Sequence, residues 1–209
     1  AVASGGINGI KHVVVIYMEN HSFDNLYGTW EGVNGRVGTY VPQVSQAGNT
    51  YACLLQNQPG VTSATLPVTC VDSVSVPGTT ISSAFSNQPW NIATYIPLTG
   101  YNCPGGSLGQ GGYPGGCTED LVHRYYQQQY QFNLGKMDRF ITGSDAVGLD
   151  VGYYETSTLP IYAYLHGANH PNYVVADNFF HAAFGGSFLN HQWLVAATTP
   201  VFSNAVNDG

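Results

Sequence analysis

The order of apolar runs and helical patterns predicts an α/β fold: a mostly parallel sheet sandwiched by helices, with a long loop-rich, disulfide-stapled insertion. Three observations carry this. A β-branched run at 10–17 leads into the polar set Glu19, Asn20, His21 and Asp24. A second apolar run at 172–176 ends in the same way, in Asp177 and Asn178. Helical patterns at 121–132, 160–165 and 188–197 lie between and after these runs, and strand, helix, strand, helix is the order of a parallel sheet.

Taken in order, residues 1–9 are a glycine-rich lead-in and 10–17 a buried strand. In open α/β sheets ligands collect beyond the carboxyl ends of the strands, so Glu19 and Asn20 stand where a site is expected. The competing reading makes Asn20 or Ser22 the cap of the short helical turn expected at 22–27, with Asp24 in its first turn. Residues 28–117 are dominated by Pro, Gly, Ser, Thr and Asn, with only brief alternation such as 38–44. A stretch so long without periodicity predicts an insertion or lid rather than core.

Helical pattern returns after the start signal Thr118-Glu119-Asp120, with Leu121, Tyr125 and Phe132 on the apolar side and Gly135 as a stop. A second helix is expected after Lys136, including Met137, Phe140 and Ile141. A third is expected at 160–165, ended by Gly167. The strand at 172–178 follows, then residues 179–184, the turn Gly185-Gly186-Ser187 and a buried helix at 188–197.

Composition narrows the function. Of 209 residues only 8% are charged, against ~25% in an ordinary domain, and the net charge is −7 with five Lys or Arg. So few cations cannot build a phosphate-backbone footprint, which excludes nucleic acid as a partner. The four cysteines allow three connectivities. Their spacing is not that of a zinc site. The local pairing, Cys53 with Cys70 and Cys103 with Cys117, staples two segments that have little pattern of their own, and it implies a secreted or periplasmic location. Ala1-Val2-Ala3-Ser4 reads as a mature terminus left after signal cleavage.

Ser187 follows two glycines and opens a helix, where the positive end of the helix dipole favours a phosphate or a serine oxygen losing its proton. The plainer reading is a helix cap. Five of the seven histidines, His123, His166, His170, His181 and His191, lie in the second half, and histidine suits proton transfer near neutral pH.

Together, residues 10–15, Met18-Glu19-Asn20-His21-Ser22-Phe23-Asp24, His123, Gly135-Lys136-Met137-Asp138, Asp177-Asn178-Phe179-Phe180 and Gly186-Ser187-Phe188-Leu189-Asn190-His191 resemble the bacterial phosphoesterase family of acid phosphatases and phospholipases C. That resemblance implies an alkaline-phosphatase-like fold in which residues 1–209 are the N-terminal part of a single catalytic domain, with 28–117 its insertion or lid. It implies a phosphate-ester substrate attacked by Ser187, with Glu19, Asn20 and Ser187 holding a divalent metal ion of undetermined identity. His123 matches a histidine near the phosphate, and Asn190 and His191 reach the phosphate or orient Ser187. Asp177 and Asn178 are expected in a supporting role. Serine at the nucleophile position resembles the acid phosphatase branch. Phospholipase C, acting at a phospholipid surface, is the alternative enzyme, and a secreted carbohydrate-binding or structural module is the alternative non-enzyme. The family's further metal ligands and phosphate-binding histidines follow the nucleophile at a distance, so a second chain or C-terminal segment is expected to complete the site.

Overall fold

The computed structural model describes residues 6–18, 21–56, 66–96, 121–170 and 172–201. Glu19, Asn20, Cys103, Cys117, the glycine-rich tip between these cysteines and the helix start at 118–120 lie outside the described residues.

The packed core sits where the sequence pattern predicts an insertion. Tyr51, Leu54, Ile81, Phe85, Ile92, Tyr95 and Ile96 are buried together, joined by Ile141, Ala146, Leu149 and Tyr154 from the second half. Short pieces build it. Strand β1 (Cys70–Asp72) pairs antiparallel with β2 (Ile81–Ser83), and β3 (Trp90–Asn91) pairs parallel with β4 (Gly152–Tyr153). Cys53 and Cys70 form a disulfide, which ties the 51–56 segment to β1. Phe85 stacks on Trp90 with ring centroids 4.0 Å apart, and Trp90 Nε1 donates to the Gly148 carbonyl. Gly148 must be glycine: a Cβ there would meet the Leu55 carbonyl oxygen at 2.4 Å, inside any permissible contact.

Side chains substitute for ladders in this core. Gln43, 2% exposed, donates to the Val41 and Met137 carbonyls and accepts from Phe140 N–H. Asn87 donates to the Gln43 and Tyr51 carbonyls. Buried backbone groups need such partners wherever regular structure is short. The helix expected after Lys136 is absent for the same reason. Met137 has φ 56, which no α-helix accommodates, and Gln43 takes up the backbone groups that a helix would have paired.

Four α-helices are present among the described residues. Helix α1 (Phe23–Leu26) is capped by Ser22, whose hydroxyl accepts from Asn25 N–H, as the expectation at 22–27 has it. Helix α2 (Tyr125–Phe132) runs into a 3-10 turn (Asn133–Gly135). Helix α3 (Pro160–His166) begins on proline and stops at Gly167, and α4 (Ser187–Ala196) begins one residue before its expected start. None of the described helices is long and apolar enough to cross a membrane.

The strands expected at 10–17 and 172–178 are not formed among the described residues, whose sheets are one antiparallel and one parallel pair rather than one mostly parallel sheet. No described residue pairs with either segment in a ladder. Val14 is 83% and Val174 92% exposed. A strand exists only through its neighbours' hydrogen bonds, so an apolar run without a partner forms none, whatever its pattern. Ile10, Val13, Val15, Ile16, Phe179, Phe180 and Phe188 are also exposed, a broad apolar surface for a folded chain.

Candidate functional site

Ser187 is presented by a turn whose geometry follows from its glycines. Gly185 has φ 146, a conformation that side-chain-bearing residues avoid, and Gly186 is the N-cap of α4. Ser187 therefore occupies the first helical position rather than the cap, so the capping reading of this serine does not hold. The first-turn N–H groups of a helix have no intrahelical acceptors and face the same side as such a residue.

The turn is clamped from two directions. Asn190, 4% exposed, accepts from Ala183 N–H at 3.3 Å and donates to the Ala183 carbonyl at 3.2 Å, with longer contacts to the Gly185 and Gly186 carbonyls. Its amide, assigned above to the phosphate or to the orientation of Ser187, is turned onto the backbone that carries the serine. From α2, Gln128 Oε1 accepts from Gly185 N–H at 2.6 Å, and Phe132 packs edge-on against Phe184. Gln128 lies in a run of glutamines with no periodic signal, so nothing in the sequence singles it out.

His191 donates from Nδ1 to the Ser187 carbonyl at 2.7 Å, so any contact of the ring with substrate would come from Nε2. Tyr17, two residues before Glu19 in the chain, sets its ring against His191, His181 and Phe179. These ring contacts bring the end of the first apolar run to α4, the helix that Ser187 opens. Tyr17, Phe179, Phe180, Asn190 and Trp193 line a cavity of about 290 Å³ there. His123 is exposed, two residues before α2 begins. A more open cavity of about 520 Å³, lined by Arg124, Tyr126, Tyr130 and Ser144, lies beside it in the chain.

Asp177 and Asn178 hold the 28–36 loop. Asn34 N–H donates to the Asp177 carboxylate at 2.6 Å, and Asn34 Nδ2 donates to Asn178 Oδ1. The Asn34 bond lowers the Asp177 pKa below the usual carboxylate value. Asp24 goes the other way: burial raises it, against the opposing pull of Arg36. Arg36 lies over the Tyr153 ring at 3.3 Å from its centroid.

A further titratable cluster escaped the sequence reading because its members are remote in the chain. Glu31 meets His166 Nε2 at 2.6 Å and accepts from Tyr162 OH at 3.0 Å, beside the Trp30 ring. Among the described residues, no three His, Cys, Asp or Glu side chains converge as a metal site, and of the expected ligands only Ser187 is described.

Residues 10–208 match the family model described as the phosphoesterase family. No solved structure matches the chain.

Proposed function

Because the chain belongs to the phosphoesterase family and is thereby a phosphoric ester hydrolase, we propose that it is an acid phosphatase working through a phosphoserine on Ser187. The observation that carries this reading is the position of Ser187, at the first residue of a ten-residue helix behind a doubly clamped glycine turn. Phosphoryl oxygens set there meet N–H groups that have no helical acceptor, in the field of the helix dipole.

In the first step the Ser187 hydroxyl loses its proton as its oxygen bonds phosphorus. The bond from phosphorus to the ester oxygen breaks, and the alcohol leaves with a proton. In the second step water attacks phosphorus, phosphate departs and the serine regains its proton. The net reaction is ester plus water to alcohol plus phosphate. His123 is proposed to hold a phosphoryl oxygen and donate the leaving group's proton, and His191 to reach the phosphate through Nε2. The aromatic cavity beside α4 suits the organic part of the ester.

A divalent metal held by Glu19, Asn20 and Ser187 is part of the proposal and rests on the motif. The described residues do not themselves assemble that site. Completion of the site by a second chain or a further segment is likewise proposed, supported by the exposed apolar runs at 10–16 and 172–176. A secreted or periplasmic location is supported by the Cys53–Cys70 disulfide.

Phospholipase C is the second reading, favoured by the exposed Phe179, Phe180 and Phe188 close to or on the nucleophile helix. The carbohydrate-binding module loses its support to the family membership. The test is hydrolysis of p-nitrophenyl phosphate and of p-nitrophenyl phosphorylcholine by the full-length protein, with and without chelator. The monoester is expected to turn over faster and chelator to abolish turnover. Preference for the phosphorylcholine diester would move the assignment to phospholipase C, and chelator-resistant turnover would remove the metal.

A further inference from the structure

The proposal for Ser187 leaves open what fixes the turn in front of it. Gly185 at φ 146 gains freedom from lacking a side chain, and the same freedom lets the turn take other shapes once folded. Two side chains oppose this. Asn190 belongs to α4 itself and moves with Ser187, so it shapes the turn internally. Gln128 belongs to α2, 57 residues earlier, and bonds the one N–H of Gly185. That bond relates the nucleophile to a separate helix, and the same helix begins two residues after His123.

We infer that Gln128 is a positioning residue for the Ser187 nucleophile, acting through the Gly185 N–H and holding the serine's turn in register with the His123 end of α2. The inference rests on Ser187 being the nucleophile. Gln128 acts on the backbone and not on a reacting atom. Its amide oxygen orients the peptide between Phe184 and Gly185, and the chain then delivers Ser187 two residues later. Displacement of a nucleophile by about 1 Å costs on the order of 10²-fold in rate. An interaction that acts on orientation alone lowers kcat and leaves KM little changed.

The test uses the full-length protein and p-nitrophenyl phosphate, comparing wild type with Gln128→Leu, Gln128→Glu and Ser187→Ala. Leucine fills the space without an acceptor, whereas glutamate keeps an oxygen for the Gly185 N–H. Gln128→Leu is expected to lose about 10²-fold in kcat with KM within about twofold, and to slow phosphoserine formation in rapid acid quench by the same factor. Gln128→Glu is expected to recover most of the rate. A merely structural glutamine would instead show lowered thermal stability with kcat per folded molecule unchanged. If Gln128→Leu does not fold, Gln128→Met reads the same loss of acceptor. Wild-type kcat in the acceptor-free variant, or Gln128→Glu as slow as Gln128→Leu, overturns the inference while an inactive Ser187→Ala leaves the nucleophile standing. Full activity in Ser187→Ala overturns both.

Discussion

Replacing Asp72 by alanine removes the acceptor of three backbone N–H groups, those of Ala52, Val74 and Ser75, at 2.7, 3.0 and 2.9 Å. Asp72 is 4% exposed and ends β1, two residues from Cys70, so its carboxylate joins the strand to the segment across the disulfide. A hydrogen bond to a charged group contributes roughly 1.5–3 kcal/mol, and a buried donor left unpaired loses the whole of that. Ser75 is buried, while Ala52 and Val74 lie at exposed positions where water can replace the carboxylate. One full loss and two partial ones come to about 3 kcal/mol, or roughly 6–12 °C in Tm for a chain of this size. Asparagine keeps one acceptor oxygen but no charge and should cost about half as much. Burial alone would raise this carboxyl's pKa; the hydrogen bonds from Ser75, Val74 and Ala52 outweigh it and hold the group well below the usual range. The unfolded group titrates near ~3.9, so the stabilisation is complete above that pH and fades as pH falls toward the lower folded value. Urea unfolding followed by tryptophan fluorescence should therefore show a gap between wild type and Asp72→Ala that is constant at neutral pH and narrows below about pH 4. A loss under about 0.5 kcal/mol at neutral pH, or a gap that does not change in acid, would refute the reasoning.

The Cys53–Cys70 bridge spans a sequence separation of 17, and its removal in a Cys53→Ala, Cys70→Ala double variant should cost about 3 kcal/mol. Thermal unfolding with and without reductant checks this: reductant should destabilise wild type by about 3 kcal/mol more than the double variant, which has already lost this bridge. Burial pushes Tyr40 and Tyr51 up to about 12. Tyrosinate absorbance should show Tyr40 and Tyr51 ionising well after a tyrosine free in water, whose pKa is ~10. Their folded pKa lies above the unfolded one, so the stability they contribute is whole below about pH 10 and is lost as pH rises toward 12. Titration of all tyrosines in one step near ~10 in the folded protein would contradict their burial.

What the sequence made legible is local. Helix α3 announces itself by Pro160 and Gly167, and α4 by two glycines before Ser187, because helix ends are set by backbone conformations that particular residues favour. The apolar runs at 10–17 and 172–176 are equally plain to read, yet pairing is not a local property, and neither finds a strand among the described residues. The core around Leu54, Phe85, Ile92 and Tyr95 was hidden for the opposite reason. Its strands are two or three residues long, too short for any period, and side chains such as Gln43 and Asn87 replace ladder bonds within a Gly- and Ser-rich background. At the site, the glycine turn and its serine could be read from the chain. The clamp by Gln128 could not, since it depends on how α2 packs beside that turn.

In the proposed mechanism Ser187 carries the phosphoryl group during turnover. Full-length protein mixed with p-nitrophenyl phosphate, quenched in acid and digested, should yield the peptide containing Ser187 heavier by one phosphoryl group, and the Ser187→Ala protein should show neither that adduct nor turnover. A phosphoryl group recovered on a different residue, or undiminished turnover by Ser187→Ala, would contradict it.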